Sequence, residues 1–319
     1  MKLEEIAPRV FACLQQEPGL GFSNSGLIDR GGGLIVDTFW DLPHTREMIE
    51  RYSKVWRAPA RRVVNTHYNG DHCWGNQLFP RAEIIGHRRC AESFSKENPA
   101  ALQAVKSMDV SGQPGLAGLQ RGLEPWDFSG IDLKPPSVVF DDRLTIEMDG
   151  SPVEIVYVGP AHTDSDVIVH VPESRVVFAG DIVFRLCSPI GWEGTYARWI
   201  AALDYIISLN PDVVVPGHGP LCGVEGPREM KAYLVYVREE SKRFFEAGLP
   251  VDEAARRIDL GPYEIWDGPE RVFFNVERAY RELRGDPPDA PVNANFLFAG
   301  ATRLYLERWA NRPSSREEA

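Results

Sequence analysis

The sequence predicts a protein of the α/β class, with two strand-rich regions and a helical C-terminal part. Short apolar runs separated by tight turns occur in residues 9–40 and again in residues 144–179, a pattern typical of neighbouring strands. Helical patterns follow these regions, at residues 45–56 and 195–209. Beyond residue 228 every predicted element is a helix. Together these patterns predict an α/β fold with a helical extension.

Length, composition and charge narrow the range of partners. The chain has 319 residues, of which 43% are apolar and 25% charged, and its net charge is −11. Proteins that bind a phosphate backbone usually carry a basic stripe, and none is visible here, so we expect no nucleic-acid partner. No apolar run approaches the roughly 20 residues needed to span a bilayer, so we expect no membrane partner.

The N-terminus and the cysteines favour a cytoplasmic location. Residues 1–8 lack the apolar core of a signal peptide. The chain has 5 cysteines, an odd and sparse set that fits a reducing compartment better than a disulfide framework. We therefore predict a cytoplasmic protein.

Residues 96–136 interrupt the strand pattern. This segment holds several prolines and glycines, and its periodicity is weak. We predict a helix near residues 100–108, followed by irregular chain. A long irregular segment within a compact domain is often a lid or a binding loop, and the alternative is a solvated surface insertion.

The densest chemical signal is a short segment that follows an apolar, strand-like run. It places His67, Asn69, Asp71 and His72 close together at the predicted end of a strand. Imidazole and carboxylate groups at this density suit a divalent transition metal such as zinc. A strand end is also a position where a rigid scaffold can hold ligands.

Further motifs each place one metal-competent side chain just past an apolar run, beside glycines that allow sharp turns. They are Gly159-Pro160-Ala161-His162-Thr163, Ala179-Gly180-Asp181 and Pro216-Gly217-His218-Gly219. Separate loops thus supply one set of candidate ligands, namely His67, Asn69, Asp71, His72, His162, Asp181 and His218.

These motifs resemble those of the metallo-β-lactamase superfamily of metallohydrolases. The resemblance spans roughly residues 10–222, and its motifs occur in the family's order: H-x-N-x-D-H, G-x-A-H-T, F-A-G-D and P-G-H-G. It implies a four-layer αββα sandwich with the metals at one edge, between the two sheets. It also implies a metal-binding domain over residues 1–222, in which 96–136 are a lid or insert. Residues 223–319 would be a helical extension packed on the same domain, completing the substrate pocket or forming a homodimer interface.

The resemblance further implies two metal positions. The first would use His67 and His162, and the second Asp71, His72 and His218. The remaining ligand, Asp181, would bridge the two positions. In such a centre paired metals activate a water molecule, so the resemblance implies catalytic roles for Asp71, which would orient the attacking group, and for Asp181.

One residue departs from the family pattern, because Asn69 stands where the family usually has a histidine. A carboxamide oxygen is a weaker ligand for zinc than an imidazole. We therefore predict one or two zinc ions with a weakened first site, and iron or manganese are alternatives. The asparagine itself would act as a direct ligand or as a hydrogen-bond partner within the loop.

The predicted function is a metal-dependent hydrolase that acts on a small acyl substrate: a thioester, an ester or a lactone. The alternatives are a β-lactam hydrolase, a lyase or cyclase on the same fold, and a metal-binding protein without catalytic activity. The acidic composition argues against the nuclease branches of the superfamily. Three aromatic residues are predicted to line the substrate pocket, with burial in the core as the alternative reading: Trp74, Trp192 and Tyr196.

Overall fold

Two β-sheets form the centre of the structure, a computed structural model that describes residues 1–15, 17–191, 193–287 and 290–310. The first sheet contains β1 (Lys2–Ala7), β2 (Val10–Leu14), β3 (Ser25–Ile28), β4 (Leu34–Val36), β5 (Arg62–Val64), β6 (Glu83–His87) and β7 (Val138–Phe140). The second contains β8 (Arg143–Met148), β9 (Ser151–Tyr157), β10 (Val167–Val171), β11 (Val176–Phe184) and β12 (Val213–His218).

Helices cover the outer faces of both sheets and form most of the C-terminal part. The helices before β7 are α1 (Leu42–Tyr52), α2 (Gly70–Cys73), α3 (Arg88–Ser93), α4 (Pro99–Ser107) and α5 (Pro114–Leu123). Those after β11 are α6 (Tyr196–Ser208), α7 (Glu225–Glu246), α8 (Val251–Arg257), α9 (Val272–Arg284) and α10 (Ala294–Arg308). No helix among the described residues is long and apolar enough to cross a membrane.

Both sheets are mixed, with their strands in sequence order. In the first sheet β1 to β4 pair antiparallel, as expected for a meander, and β4 to β7 pair parallel. In the second, β8 to β11 pair antiparallel, and β12 joins β11 in parallel at one edge. The parallel strands β5 and β12 both carry candidate ligands at or just beyond their carboxyl ends.

Alternating apolar side chains build the layers. In β11, Val176 and Phe178 belong to the buried cluster between the two sheets, whereas Val177 and Ala179 belong to the cluster beneath the outer helices. This alternation follows from the two-residue repeat of a strand. On the first sheet, α1 covers the outer face. The predicted four-layer αββα sandwich with a helical C-terminal extension is therefore confirmed.

The C-terminal helices share the core of the second sheet. Tyr233 of α7, Phe273 of α9 and Leu304 of α10 lie in the same buried cluster as Val177 of β11 and Trp199 of α6. Burial of these large side chains contributes about 1.5–3 kcal/mol each. The helices from residue 225 onward therefore stabilise the sheet that carries Asp181 and His218.

The prediction of irregular chain after residue 108 is wrong, because α5 occupies Pro114–Leu123. Its three glycines obscure the helical periodicity, and contact with α10 stabilises the helix instead. A Cβ atom at Gly115 would lie 2.6 Å from Ala299 Cα, and one at Gly118 would lie 2.0 Å from Thr302 Oγ1. The two helices approach so closely because these positions lack side chains.

Replacing Gly115 by alanine tests this contact. The added methyl group would meet backbone atoms of α10, so we expect the Gly115→Ala variant to lose about 1–3 kcal/mol of unfolding free energy. Gly122→Ala in the same helix is the matched control, because its Cβ would meet only the flexible side chain of Leu20 at 3.3 Å. Urea titrations of both variants measure the difference. Equal stability of the two would contradict close packing between α5 and α10.

Candidate metal centre

Loops and strand ends from both sheets bring the candidate ligands together. The segment from His67 to His72 follows β5 and runs into α2, His162 lies between β9 and β10, and His218 ends β12. Asp181 lies inside β11, which continues to Phe184 instead of ending near residue 179 as the sequence suggested. The strand continues because β11 stays paired with β12, with irregular register on either side of Gly180.

Asp181 occupies the middle of the cluster. Its Oδ1 lies 3.1 Å from Nε2 of His72. Its Oδ2 lies 3.3 Å from Nε2 of His162, 3.4 Å from Nε2 of His218 and 3.9 Å from Nε2 of His67. The structure therefore brings all the histidines of the predicted set to one buried carboxylate.

Asp71 lies on the side of the cluster nearer to solvent. Its Oδ2 is 3.4 Å from Nε2 of His218 and 3.7 Å from Nε2 of His72. The Asp71 side chain is 15% exposed, whereas the Asp181 side chain is 5% exposed. Asp71 is thus the carboxylate of the cluster that solvent or a ligand reaches more easily.

The same ring nitrogen, Nε2, faces the cluster in every histidine of the set, because Nδ1 has another partner. Nδ1 of His72 contacts Asp37, and Nδ1 of His67 contacts the Thr66 hydroxyl at 3.0 Å. The other Nδ1 atoms contact backbone carbonyl oxygens, of Ile190 for His162 and of Phe22 for His218. Histidines that bind metals usually have such an arrangement, with one nitrogen anchored and the other free for the ion.

The cluster contains buried polar atoms that lack a hydrogen-bond partner and that a metal ion would satisfy. Nε2 of His67 is buried and has no hydrogen-bond partner, and Oδ1 of Asp181 lies near His72 without the geometry of a hydrogen bond. Buried polar groups rarely stay unpaired, because each costs about 1–3 kcal/mol. Among the residues that the structure describes, two groups of side chains have ligand atoms close enough for one ion: His67, His72 and Asp181; and Asp71, His72 and His218.

Electrostatics shifts the pKa values of these groups in opposite directions. Burial opposes charge on His72 and His218, but the carboxylates of Asp181 and Asp71 outweigh it and raise both pKa values, to about 9 for His218. At His67 burial dominates and holds the pKa well below its usual value. In the metal-free cluster the protons therefore belong on His72 and His218.

Asp37 holds the motif loop from behind. Its Oδ2 accepts a hydrogen bond from Nδ1 of His72 at 2.9 Å and from the hydroxyl of Thr66 at 2.7 Å. Its Oδ1 accepts from the backbone N–H of Thr66, also at 2.7 Å. Asp37 thus sets both the orientation and the tautomer of His72.

Sequence reasoning missed two further acidic residues that support the loops. Asp166 accepts from the backbone N and hydroxyl of Thr163, at 2.9 and 2.6 Å, and burial raises its pKa to about 8. Its closeness to the G-x-A-H-T motif is a signal that could have found it. Glu97 accepts from Nδ2 of Asn69 at 2.8 Å and from the backbone N of Gly70 at 2.7 Å. Nothing in the sequence links Glu97 to that loop.

The predicted pocket residues lie in different places. Trp74 is 1% exposed and packs against Gly70 in an aromatic cluster with Trp40 and Phe128. Tyr196 is 3% exposed, and its hydroxyl donates to the backbone of α9 rather than contacting the histidines. Trp192 lies outside the described residues, so the pocket stays a prediction.

An aromatic residue that the sequence analysis did not select contacts the ligands directly. The ring of Phe184 stacks on His218 with centroids 5.1 Å apart, and lies 5.7 Å from the ring of His162. The ring centroid of Trp199 also lies 5.7 Å from that of His162. These rings restrict the imidazoles to the orientations that their Nδ1 hydrogen bonds already favour.

The fold and the ligand cluster are those of an αββα protein with a candidate metal centre at the edge of its two sheets. The sequence profile of the metallo-beta-lactamase superfamily matches residues 18–218. This match covers more than half of the chain, and the chain belongs to that superfamily. The prediction of the family is therefore confirmed.

Curated relatives with different activities resemble the chain. A linear primary-alkylsulfatase from Pseudomonas sp. (strain ATCC 19151) is 23% identical over 294 residues, covering 81% of this chain and 56% of that protein. A metallo-beta-lactamase type 2 from Bacteroides fragilis is 31% identical over 222 residues, covering 68% of this chain and 76% of that protein. An atrochrysone carboxyl ACP thioesterase from Emericella nidulans is 24% identical over 280 residues, covering 82% of this chain and 77% of that protein.

A solved structure with a similar fold extends the comparison. The stereoselective inverting sec-alkylsulfatase from Pseudomonas sp. superposes with a TM-score of 0.64 at 17% identity, covering 91% of this chain and 51% of that one. At such low identity the likeness concerns the fold alone. The chain spans little more than half the length of the alkylsulfatases that it matches, 56% of the curated relative and 51% of the solved one.

Asp37→Asn tests the support of His72. An amide at this position has one acceptor oxygen instead of two, so it cannot serve both Thr66 and His72 as the carboxylate does. We expect metal affinity to fall about 10- to 100-fold with the fold retained. Competition with a zinc chelator measures the affinity, and Asp142→Asn at an exposed position is the control. Unchanged affinity would mean that Asp37 does not orient a ligand.

Proposed function

We propose that this protein is a metal-dependent hydrolase whose reaction takes place at the Asp181 cluster. The observation that carries the proposal is the common orientation of its histidines: Nε2 of His67, His72, His162 and His218 lies within 3.1 to 3.9 Å of the Asp181 carboxylate. Such a set of buried nitrogens and carboxylates suits zinc, and manganese or iron also accept these donors.

The residues would divide between two metal positions. His67 and His162, with Oδ1 of Asn69, would hold a first ion, and Asp71, His72 and His218 would hold a second. The bridging ligand would be Asp181, which contacts histidines of both sets. When bound, such ions supply an activated water and polarise the bond to be cleaved.

Asp71 has the position suited to proton handling in this reaction. Its carboxylate is the more exposed of the two in the cluster and lies beside His72 and His218. It would accept a hydrogen bond from the attacking water and orient it toward the substrate, take up the proton that this water loses, and pass that proton to the leaving group. Asp181, which is surrounded by imidazoles, has no such freedom and would serve as the bridging ligand.

The substrate that we propose is a small acyl compound: a thioester, an ester or a lactone. The match to the thioesterase supports an acyl substrate, and it covers 82% of this chain against 68% for the β-lactamase. A sulfate ester is the second candidate, because the alkylsulfatase match covers 81% of the chain. A homodimer and a cytoplasmic location remain predictions from the sequence.

A substrate panel tests the proposal together with Asp181→Ala. We expect hydrolysis of at least one acyl-thioester, ester, lactone or alkyl sulfate, and loss of that activity to background in the variant because the bridging carboxylate is gone. A β-lactam covers the alternative, and a phosphodiester is the negative control. Asp204→Ala, at an exposed position far along α6, should keep full activity. Undiminished turnover by Asp181→Ala would refute the assigned role.

The affinity for zinc should depend on pH. Since the pKa values of His72 and His218 are raised, to about 9 for His218, both carry protons near neutral pH in the metal-free protein. Zinc must displace these protons, so affinity should fall as pH is lowered from about 9 to about 6, and binding should release protons. Calorimetry in buffers of different ionisation enthalpy measures the release. A pH-independent affinity with no proton release would contradict ligation by these histidines.

A further inference from the structure

Glu97 forms hydrogen bonds to both the carboxamide of Asn69 and the backbone of Gly70. Its Oε1 accepts from Nδ2 of Asn69 at 2.8 Å, and its Oε2 accepts from the backbone N of Gly70 at 2.7 Å. In the structure both oxygens of Glu97 accept hydrogen bonds, so Nδ2 is the end of the Asn69 carboxamide that points toward Glu97. Oδ1 of Asn69 therefore points the other way and lies 3.0 Å from Nε2 of His162.

We propose that Glu97 is a positioning residue that presents Oδ1 of Asn69 as a ligand atom to the first metal position. This inference rests on the metal-dependent function proposed above. The nitrogen of a carboxamide carries two N–H donors, so only the oxygen can bind a cation. With the opposite orientation, Asn69 would direct N–H groups at the ion and would block the position.

The segment that carries Glu97 also supports the other loop of the first position. Ser93 Oγ and Lys96 Nζ donate to Oδ2 of Asp164, at 2.9 and 3.0 Å, and Asp164 lies two residues after His162 in the same loop. The Lys96 ammonium also contacts Glu193 at 2.7 Å. Residues 93–97 thus connect the loop of Asn69 to the loop of His162.

The second position has separate supports. His72 is held by Asp37, and His218 by the backbone carbonyl of Phe22. The backbone of Asp71 accepts from the hydroxyl of Ser23. None of these supporting bonds involves residues 93–97, so a change at Glu97 should affect the first position and leave the second intact.

Glu97→Gln reverses the orientation of the carboxamide without changing the size of the side chain. The N–H of Gly70 is fixed at the start of α2, so the oxygen of the new glutamine must accept from it. The amide N–H groups of the glutamine then face Asn69, which has to turn its oxygen toward them. Its Nδ2 now faces His162, while the number of hydrogen bonds, and hence the fold, is preserved.

A second substitution should restore the first position. In Asn69→Asp/Glu97→Gln, one oxygen of the new aspartate accepts from the glutamine, and the other faces the metal. The double variant has the same net charge at positions 69 and 97 as the wild type. If Glu97 merely stabilised the start of α2 through Gly70, Glu97→Gln would keep that bond and would leave the first position unchanged.

The experiment is a titration of the metal-free full chain with Zn²⁺ by calorimetry, repeated with Co²⁺ and read by its absorption bands. We expect two binding events of different affinity in the wild type. In Glu97→Gln the zinc affinity of the weaker event should fall a further 10- to 100-fold, about the effect of losing an outer hydrogen bond. The affinity of the stronger event should be unchanged. The double variant should regain the weaker event. Glu92→Gln, exposed in the nearby α3, is the matched control and should resemble the wild type.

Contrary results separate this inference from the function on which it rests. If Glu97→Gln binds zinc as the wild type does, or if the double variant is no better than Glu97→Gln, Glu97 does not act through Asn69, and the hydrolase proposal stands. A single wild-type event that Glu97→Gln leaves unchanged has the same meaning. If the wild type binds neither Zn²⁺ nor Co²⁺, both proposals fail.

Discussion

The buried carboxylate of Asp181 is the group on which the site depends. An isolated ionised carboxylate in the core would be strongly destabilising, so it has to be surrounded by compensating charge. Imidazoles from both sheets supply that charge, and they hold the pKa of Asp181 well below its usual value although burial opposes this. At the open edge between the sheets, side chains from β11, from the end of β12 and from the loop after β5 lie close together. The sandwich therefore positions the cluster, and the cluster ties the two sheets together at that edge.

A further set of hydrogen bonds determines how the cluster can act. Each imidazole has its Nδ1 anchored, by Asp37, the Thr66 hydroxyl or a backbone carbonyl, and this leaves Nε2 for an ion. Rotation of any ring would break such a bond in a buried environment, where lost hydrogen bonds cost most. The site is consequently preorganised by groups that never touch the substrate. Asp71, with its partial exposure, is the member of the cluster left free to respond to a bound molecule.

The two proposed metal positions differ in their supports as well as in their ligands. The second position is supported by Asp37, Phe22 and Ser23, whereas the first is supported by residues 93–97, at the beginning of the segment that continues into α4 and α5. That segment is itself held by α10 through the close approach of Gly115 and Gly118. The C-terminal helix thus packs on α5, which belongs to the same segment as residues 93–97.

The class of fold, the family and the identity of the candidate ligands could all be predicted from the sequence alone. Strand patterns are local, and the residue types that bind metals stand in short motifs at the ends of those strands, so both are readable without coordinates. The tertiary structure decided which groups support the ligands. Glu97 and Asn69 are 28 residues apart in the sequence, and Phe22 and His218 are 196 apart, so no local pattern predicts either contact. The same holds for α5, whose glycines hide its periodicity until α10 packs on it. Local chemistry specifies what a side chain can bind, but only the packing of distant segments fixes the direction in which it points.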